Sequence, residues 1–421
     1  MTASPRPRAA IVVTGSELVR GDRQDLNGPF LARSLLSLGI EPAQIRIVGD
    51  AAEELEAALR SGLEHELCVV SGGLGPTHDD RTVELLARAA GLALVTDEAL
   101  RTRIEAISRV FAERMRRPYA DFAEGVRKQA TLPQGATAVD LAGTAPALVL
   151  RVGETVAVTL PGPPRELQTL WPKVLATDEL RAVLARATPP QRRVLRFFGA
   201  SESAVARALD GAGGDGDGVE ATICARDFEI HVDLVAEAGA EARADELEAR
   251  LVEPVEQYLF TRGELSIEEI VLARCRERGL TLATAESCTG GMIAARLTSV
   301  PGSSEVFLGA VVSYADEVKA AQLGVPETVL ETHGAVSAET AAAMARGARE
   351  RLGADVAVAV TGIAGPGGGS EAKPVGLVHV HASAPWGDRP LELTLPGDRA
   401  TIRGRATVVA LHLVRRLVTQ S

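Results

Sequence analysis

Short apolar runs that end in a polar, glycine-rich loop and then give way to an amphipathic helix recur along this chain, and no other feature restricts its fold as much. Ala9 to Thr14 is such a run, ending in Gly15-Ser16-Glu17-Leu18. Asp25-Leu26-Asn27-Gly28 then opens a helix over Pro29 to Leu38 that Gly39 stops. Ile45 to Val48 and Leu67 to Val70 repeat the pattern, with helices over Ala51 to Leu63 and Arg81 to Ala90. Strands alternating with helices predict a doubly wound α/β sheet with parallel strands. Ligands of such sheets sit beyond the carboxyl ends of the strands, so the loops at 14–17 and 71–80 are expected at a binding edge.

The pattern returns at Leu280 to Gly291, Leu-Thr-Leu-Ala-Thr-Ala-Glu-Ser-Cys-Thr-Gly-Gly, followed by the helix-forming Met-Ile-Ala-Ala-Arg-Leu. Gly290 and Gly291 let the backbone turn sharply between strand and helix. Ser287 and Cys288 therefore fall at the carboxyl end of a strand, near the unpaired N–H groups of a helix start, which favour developing negative charge. A hydroxyl there is a candidate nucleophile with an oxyanion site beside it. Ser287 and Thr289 equally suit the capping of that helix. Glu286 is expected to bond loop N–H groups.

At 421 residues, with 46% hydrophobic and 24% charged, the chain is large enough for two or three globular domains. Aromatics are only 3%, so the cores must be packed by Ala, Val and Leu. A formal charge of -11 argues against duplex nucleic acid as the main partner. Cys68, Cys224, Cys275 and Cys288 show no CxxC spacing, which predicts neither a zinc site nor a disulfide framework and fits a reducing cytoplasm. Met1 to Arg8 lacks the apolar core of a signal peptide, and no apolar run is long enough to span a bilayer. A soluble cytoplasmic protein is expected.

The loop Ser71-Gly72-Gly73-Leu74-Gly75-Pro76-Thr77-His78-Asp79-Asp80 carries what a phosphorylated ligand needs. Its glycines let N–H groups approach phosphate oxygens, and its two carboxylates suit a divalent metal, although one of them is expected to cap the next helix. A long helix over Asp97 to Arg116 follows, then Lys128-Gln129-Ala130. Gly143-Thr144 and Pro161-Gly162, beside strands at Ala147 to Arg151 and Thr155 to Leu160, add two loops to the same crevice. From 172 to 262 the chain changes in kind, with strands at Val194 to Phe198 and Phe228 to Leu234 and helices at Glu202 to Leu209 and Ala240 to Tyr258. Gly211-Ala212-Gly213-Gly214 satisfies the GxxG that clamps RNA backbone in KH modules. Asp210, Asp215 and Asp217 around it, with no Lys or Arg, favour a spacer and oligomerisation element over nucleic-acid binding.

These motifs carry a resemblance. Gly15-Ser16-Glu17-Leu18 with Asn27, the run from Gly72 to Asp80, Gly143-Thr144-Ala145-Pro146 and Leu160-Pro161-Gly162-Pro163-Pro164 resemble the molybdopterin-binding-like domain of CinA-type proteins. Ala285-Glu286-Ser287-Cys288-Thr289-Gly290-Gly291 resembles that family's C-terminal nicotinamide-nucleotide amidase domain. Asp140 and Ala147 stand where the family usually has Asn and Gly, and Tyr314-Ala315-Asp316 where it has Tyr-Ser-Asn. The resemblance implies two three-layer doubly wound α/β domains, at 1–171 and 263–421, joined by a small α+β KH-like domain at 172–262. It implies that the first domain binds a ligand through Gly15, Glu17, Asn27, Gly72, Gly73, Asp79, Asp80, Lys128, Gly143, Thr144, Pro161 and Gly162. There, ADP-ribose would be cleaved with Mg or Co held by Asp79 and Asp80. It also implies a homodimer whose last domain, with no cofactor, hydrolyses nicotinamide mononucleotide to nicotinate mononucleotide and ammonia.

An amide hydrolase needs a nucleophile, a base, an oxyanion donor and, for a nucleotide, a phosphate anchor. With the resemblance, Ser287 is the expected nucleophile and Cys288 its rival, a thiol whose usual partner is sought in His379 or His381. Lys319 is the expected base, since desolvation beside a tyrosine favours the neutral amine, and Tyr314 would relay or orient the proton. Thr361 ends a strand over Val356 to Val360 and is expected to donate to the carbonyl oxygen or fix the ring amide. Cys288, Thr289, Gly290, Gly362 and Gly365 are expected to line the substrate. Arg399 or Arg403, opening the last helix, would pair with the phosphate. The alternative is a pterin- or nucleotide-binding regulatory or assembly protein without catalysis.

Overall fold

A computed structural model describes residues 6–419, so the reading of Met1 to Arg8 falls mostly on residues 1–5, outside the described residues. The chain divides into two compact units, one drawn mainly from residues up to Arg192 and the other mainly from Arg193 onward.

The first unit is built on six strands in the order Glu41–Val48, Arg8–Thr14, Leu67–Ser71, Thr155–Leu160, Ala145–Val152 and Thr137–Ala142. The first four are parallel; the remaining pairings are antiparallel. The sheet expected to be parallel is therefore mixed. Ala142 to Ala145 and Val152 to Thr155 are joined by turns too short for a crossover helix, so they can only form hairpins. Leu31, Leu35, Leu167, Leu170 and Trp171 cover one face, and Leu55, Leu59, Leu85 and Leu86 the other, giving three layers. The helix Pro164–Leu175 runs through residue 171, and Leu180 and Val183 still belong to this core, which therefore reaches past the expected boundary.

In the middle of the chain a small sheet runs in the order Val219–Arg226, Glu229–Ala236, Gln191–Phe197 and Leu259–Arg262, with helices Glu202–Ala212 and Glu241–Val252. Gly211 and Ala212 of the GxxG complete the first of these helices, and Gly213 caps it in the left-handed conformation.

The last sheet has the order Phe307–Val312, Leu282–Glu286, Val356–Gly362, Leu377–Ala384 and Gly387–Thr394, the first three parallel and the last two antiparallel. Its faces differ in size of side chain. One packs Leu282, Val358 and Val360 under the helices Ile267–Glu277, Met292–Thr298 and Arg399–Thr419. The other sets Ala283, Ala285, Ala357 and Ala359 against Leu323 of the helix Asp316–Leu323 and Met344, Ala345 and Ala348 of the helix Ala338–Leu352. Small residues let these two helices approach closely: a Cβ at Gly347 would lie 1.8 Å from Leu323 O. Within the second unit, His412 of the last helix stacks on Phe198 at 3.7 Å, meets Phe260 edge-on and lies 2.8 Å from Glu229 Oε1. The four cysteines are unpaired, and no helix among the described residues is long and apolar enough to cross a membrane.

Candidate functional site

Alternate residues of a strand face opposite sides of the sheet, so the strand Leu282–Glu286 decides where its neighbours point. Ala283 and Ala285 lie on the alanine-packed face, and Ser287 continues that series. Pairing persists past the strand's end: Ser287 N–H donates to Val360 O at 2.9 Å, and Ser313 N–H to Glu286 O at 2.8 Å. The registers Glu286 with Val312, Glu286 with Val360 and Thr361 with His379 then set Ser313, Ser287, Thr361 and His379 in one row across four strands. All four are buried.

Lys319 lies on a helix that packs against this same face. It precedes Leu323 by one helical turn, on the side that packs against the same face, and is only 1% exposed. Its Nζ donates to Tyr314 O and to Asp316 Oδ1, each at 3.2 Å. Burying an ammonium beside one carbonyl and one partly exposed carboxylate sacrifices hydration. Titratable groups buried at that cost concentrate at functional sites.

Cys288 turns the other way. Its side chain packs with Ile293, Leu297 and Ile402 in the bulkier core, on the face opposite His379. Burial pushes the thiol up to about 11, although the N–H groups of Cys288 and Thr289 and the Arg403 guanidinium pull against it. The activated thiol that a helix start was expected to supply is therefore protonated at neutral pH. The reason lies one residue earlier. The buried Glu286 carboxylate accepts from Gly291 N at 2.9 Å, Ile293 N at 3.1 Å and Ala294 N at 2.9 Å. These are the amides expected to be unpaired, so the helix's own first turn is already engaged by Glu286. Neither Ser287 nor Thr289 caps that helix, whose first turn has no other side-chain cap.

The loops around the row are tied together by arginines. Arg399 donates to Gly365 O at 2.9 Å and to Tyr314 Oη at 2.8 Å, and Tyr314 is 62% exposed. Tyr314 thus turns its ring to Arg399 and only its carbonyl to Lys319. Arg403 donates to Cys288 O and Thr289 O, both at 2.9 Å, which makes it a clamp on the bend, while Arg399 stays exposed. Thr361 Oγ1 donates to Ala335 O at 2.7 Å, so its proton is not free for a substrate carbonyl. A Cβ at Gly362 would lie 2.7 Å from Leu377 O, and one at Gly365 2.6 Å from Val375 Cγ1. Those glycines admit neighbouring protein atoms, where ligand approach was expected.

In the first unit, a crevice of about 630 Å³ opens at the carboxyl edge of the sheet. Gly15, Glu17, Asn27, Gly72, Gly73, Asp79, Asp80, Thr144, Pro161 and Gly162 all line it. Lys128 and Gly143 are not in the lining; the Lys128 ammonium bonds Thr77 O, and Gly143 packs toward Glu166. Sequence reasoning missed Asp50, which accepts from Ser16 N at 3.0 Å and Ser16 Oγ at 2.6 Å, and Glu166, whose carboxyl burial pushes up. Asn27 Nδ2 donates to Ser71 Oγ at 2.9 Å and Gly162 O at 2.7 Å, leaving its Oδ1 buried and unpaired. Asp140 lies outside the lining, where hydrogen bonds from Lys173 and Arg103 hold it down to about 2, and Ala147 sits opposite it in the core strand.

Asp79 and Asp80 do not cap the helix Thr82–Ala90, which starts after Arg81 without a side-chain bond. Both carboxylates instead accept from Thr77 Oγ1, and Asp80 also accepts from Thr77 N–H at 2.9 Å. Two carboxylate oxygens converging on one point at the rim of a crevice fit a Mg-like cation, which takes one or two protein carboxylates and fills its remaining positions with phosphate and water. No cluster of three or more metal-ligating side chains occurs among the described residues.

Fold and edges together define a multidomain α/β protein with a ligand crevice in one sheet and a serine–lysine row in another. Residues 10–182 match the model of a probable molybdopterin binding domain, 192–262 that of the damage-inducible protein CinA KH domain, and 264–418 that of the CinA C-terminal domain. The chain belongs to the CinA family. A CinA-like protein of Mycolicibacterium vanbaalenii is 44% identical over 420 residues, covering 98% of this chain and 99% of the relative. One from Mycobacterium sp. (strain MCS) is 45% identical over 417 residues, covering 97% and 98%. The solved competence/damage inducible protein CihA of Agrobacterium tumefaciens is 43% identical over 38% of this chain and 100% of its own, with a TM-score of 0.36.

Proposed function

We propose that the C-terminal domain hydrolyses the carboxamide of nicotinamide mononucleotide, releasing ammonia and leaving nicotinate mononucleotide. The observation that carries this reading is a lysine, 1% exposed, on the same sheet face and at the same edge as Ser287. Ser287 Oγ attacks the carboxamide carbon as its proton moves toward the Lys319 amine. When the tetrahedral species collapses, the C–N bond breaks and the proton returns to the departing nitrogen. Water then cleaves the acyl-serine by the same route. Arg399, exposed at the start of the last helix, receives the phosphate. Thr361, its proton held by Ala335, serves as an acceptor for the carboxamide N–H. The high thiol pKa and opposite orientation of Cys288 support serine as nucleophile. Ammonia release tests this: Ser287→Ala should lose roughly a thousandfold or more in kcat, and Cys288→Ala should keep most of it. The reverse pattern transfers the role to the thiol.

A second reading concerns the first domain and rests on the crevice with its glycine loop and paired carboxylates. There we propose that ADP-ribose binds with its diphosphate against the amides of the 72–75 loop and a divalent cation on Asp79 and Asp80. When bound, the cation neutralises the diphosphate and makes phosphorus more open to attack. The chain's own part is to orient the diphosphate and hold it away from Glu166.

A further inference from the structure

Nothing in the sequence marks Ser313. In the structure it is fully buried, and its Oγ has no hydrogen-bond partner. An orphaned buried hydroxyl costs free energy and calls for an explanation. Its place in the fold supplies one. Ser313 follows Val312, the register partner of Glu286, so it stands beside Ser287 on the same face of adjacent parallel strands. The next carbonyl along the chain, that of Tyr314, accepts from Lys319 Nζ at 3.2 Å. Ser313 thus stands beside the expected nucleophile, and the residue that follows it holds the expected base through its carbonyl. Tyr314 does not fill the gap, because its hydroxyl lies on the exposed rim, where it accepts from Arg399.

We propose that Ser313 Oγ carries the proton between Ser287 and Lys319, an inference that rests on the amidase reading. Neighbouring strands lie about 4.8 Å apart, so rotation about the Cα–Cβ bonds brings the two serine oxygens within hydrogen-bond reach. As Ser287 Oγ bonds to the carboxamide carbon and the C=O π pair moves onto oxygen, the Ser287 O–H bond breaks. That proton passes to Ser313 Oγ, and Ser313's own proton passes to the Lys319 amine. On collapse the C–N bond breaks, Lys319 gives its added proton back to Ser313 Oγ, and Ser313's own proton passes to the departing nitrogen, which leaves as ammonia while Ser287 stays acylated. Ser313 ends each half-reaction as it began.

The test uses the full chain with Ser313→Ala and Ser313→Thr. Two readouts are taken: ammonia release from nicotinamide mononucleotide, and the rate at which phenylmethanesulfonyl fluoride sulfonylates Ser287, followed by mass spectrometry. Ser313→Ala should lower kcat about 100-fold with KM within about threefold of wild type, and slow sulfonylation comparably. Ser313→Thr, which keeps a hydroxyl, should recover to within about tenfold of wild type. An alanine variant within about threefold of wild type in both readouts overturns the relay, as does a kcat loss in both variants accompanied by a lowered melting temperature. If wild type is sulfonylated at Ser287 yet releases no ammonia, the substrate reading fails by itself. Sulfonylation then decides the relay: slower in Ser313→Ala supports it, equal rates overturn it. Neither ammonia nor sulfonylation in wild type overturns both.

Discussion

Asp79 and Asp80 share a single hydroxyl, that of Thr77, and hydrogen bonding from it holds the Asp79 carboxyl below its usual range. A carboxylate so placed is ionised at neutral pH, as the proposed cation site requires. Asp79→Asn and Asp80→Asn should each weaken Mg or Co binding by about tenfold or more in calorimetric titration, and lower metal-dependent ADP-ribose hydrolysis in step. Both positions lie on an open loop, so melting temperature should hardly move. The pair was readable in the sequence because glycines at a strand's end leave few reasons for two adjacent acids. Ser313 was not readable, because its meaning comes from register with a strand whose paired residues lie 26 positions upstream rather than from any local motif. Tyr314 and Lys319 show the converse limit. Nearness along the chain suggested a side-chain pair, whereas only the tyrosine's carbonyl meets the lysine.

At the scale of elements, the apolar strands were legible as runs and the glycine loops as punctuation. The helices Asp316–Leu323 and Ala338–Leu352 were not. The first buries only Lys319 and Leu323 and the buried face of the second is mostly alanine, which leaves no strong apolar stripe on either. Those two helices nevertheless hold Lys319 over the serine row, and Gly347 sets their spacing. Gly347→Ala, with its new Cβ driven against Leu323 O, should destabilise the fold by about 1–3 kcal/mol, seen as a lower urea midpoint. Because the displaced helix carries Lys319 and not Arg399, kcat should fall more than KM rises. The hairpins that make the first sheet mixed were hidden too, since turn length, and not strand composition, decides direction.

At the scale of the whole molecule, the few aromatic residues are partly gathered in the second unit, where Phe198 and Phe260 enclose His412. Burial holds His412 down to about 4, with Glu229 pulling the other way and Arg415 and Arg416 adding to the effect of burial. Burial alone would raise Glu229, but hydrogen bonds from His231 and His412 outweigh it and keep it at about 2. An imidazole with a folded pKa below its unfolded value binds its proton first in the unfolded chain. Its contribution is therefore complete above about pH 6.5 and is lost as pH falls toward 4. A loss on the order of 3 kcal/mol is expected across that window, with Glu229 adding to it at still lower pH. Denaturant unfolding at stepped pH measures it. His412→Gln, which keeps an N–H donor for Glu229 and cannot be protonated, should flatten the curve.

The carboxylate of Glu286, sealed beneath the bend, has a bearing on inhibitor design. A boronate or other warhead that becomes anionic on reaching the proposed nucleophile Ser287 finds the amides of the adjacent helix start already bonded to a resident carboxyl group. Affinity should then be sought in a phosphate mimic that reaches Arg399, attached to a warhead that stays uncharged until it has bonded.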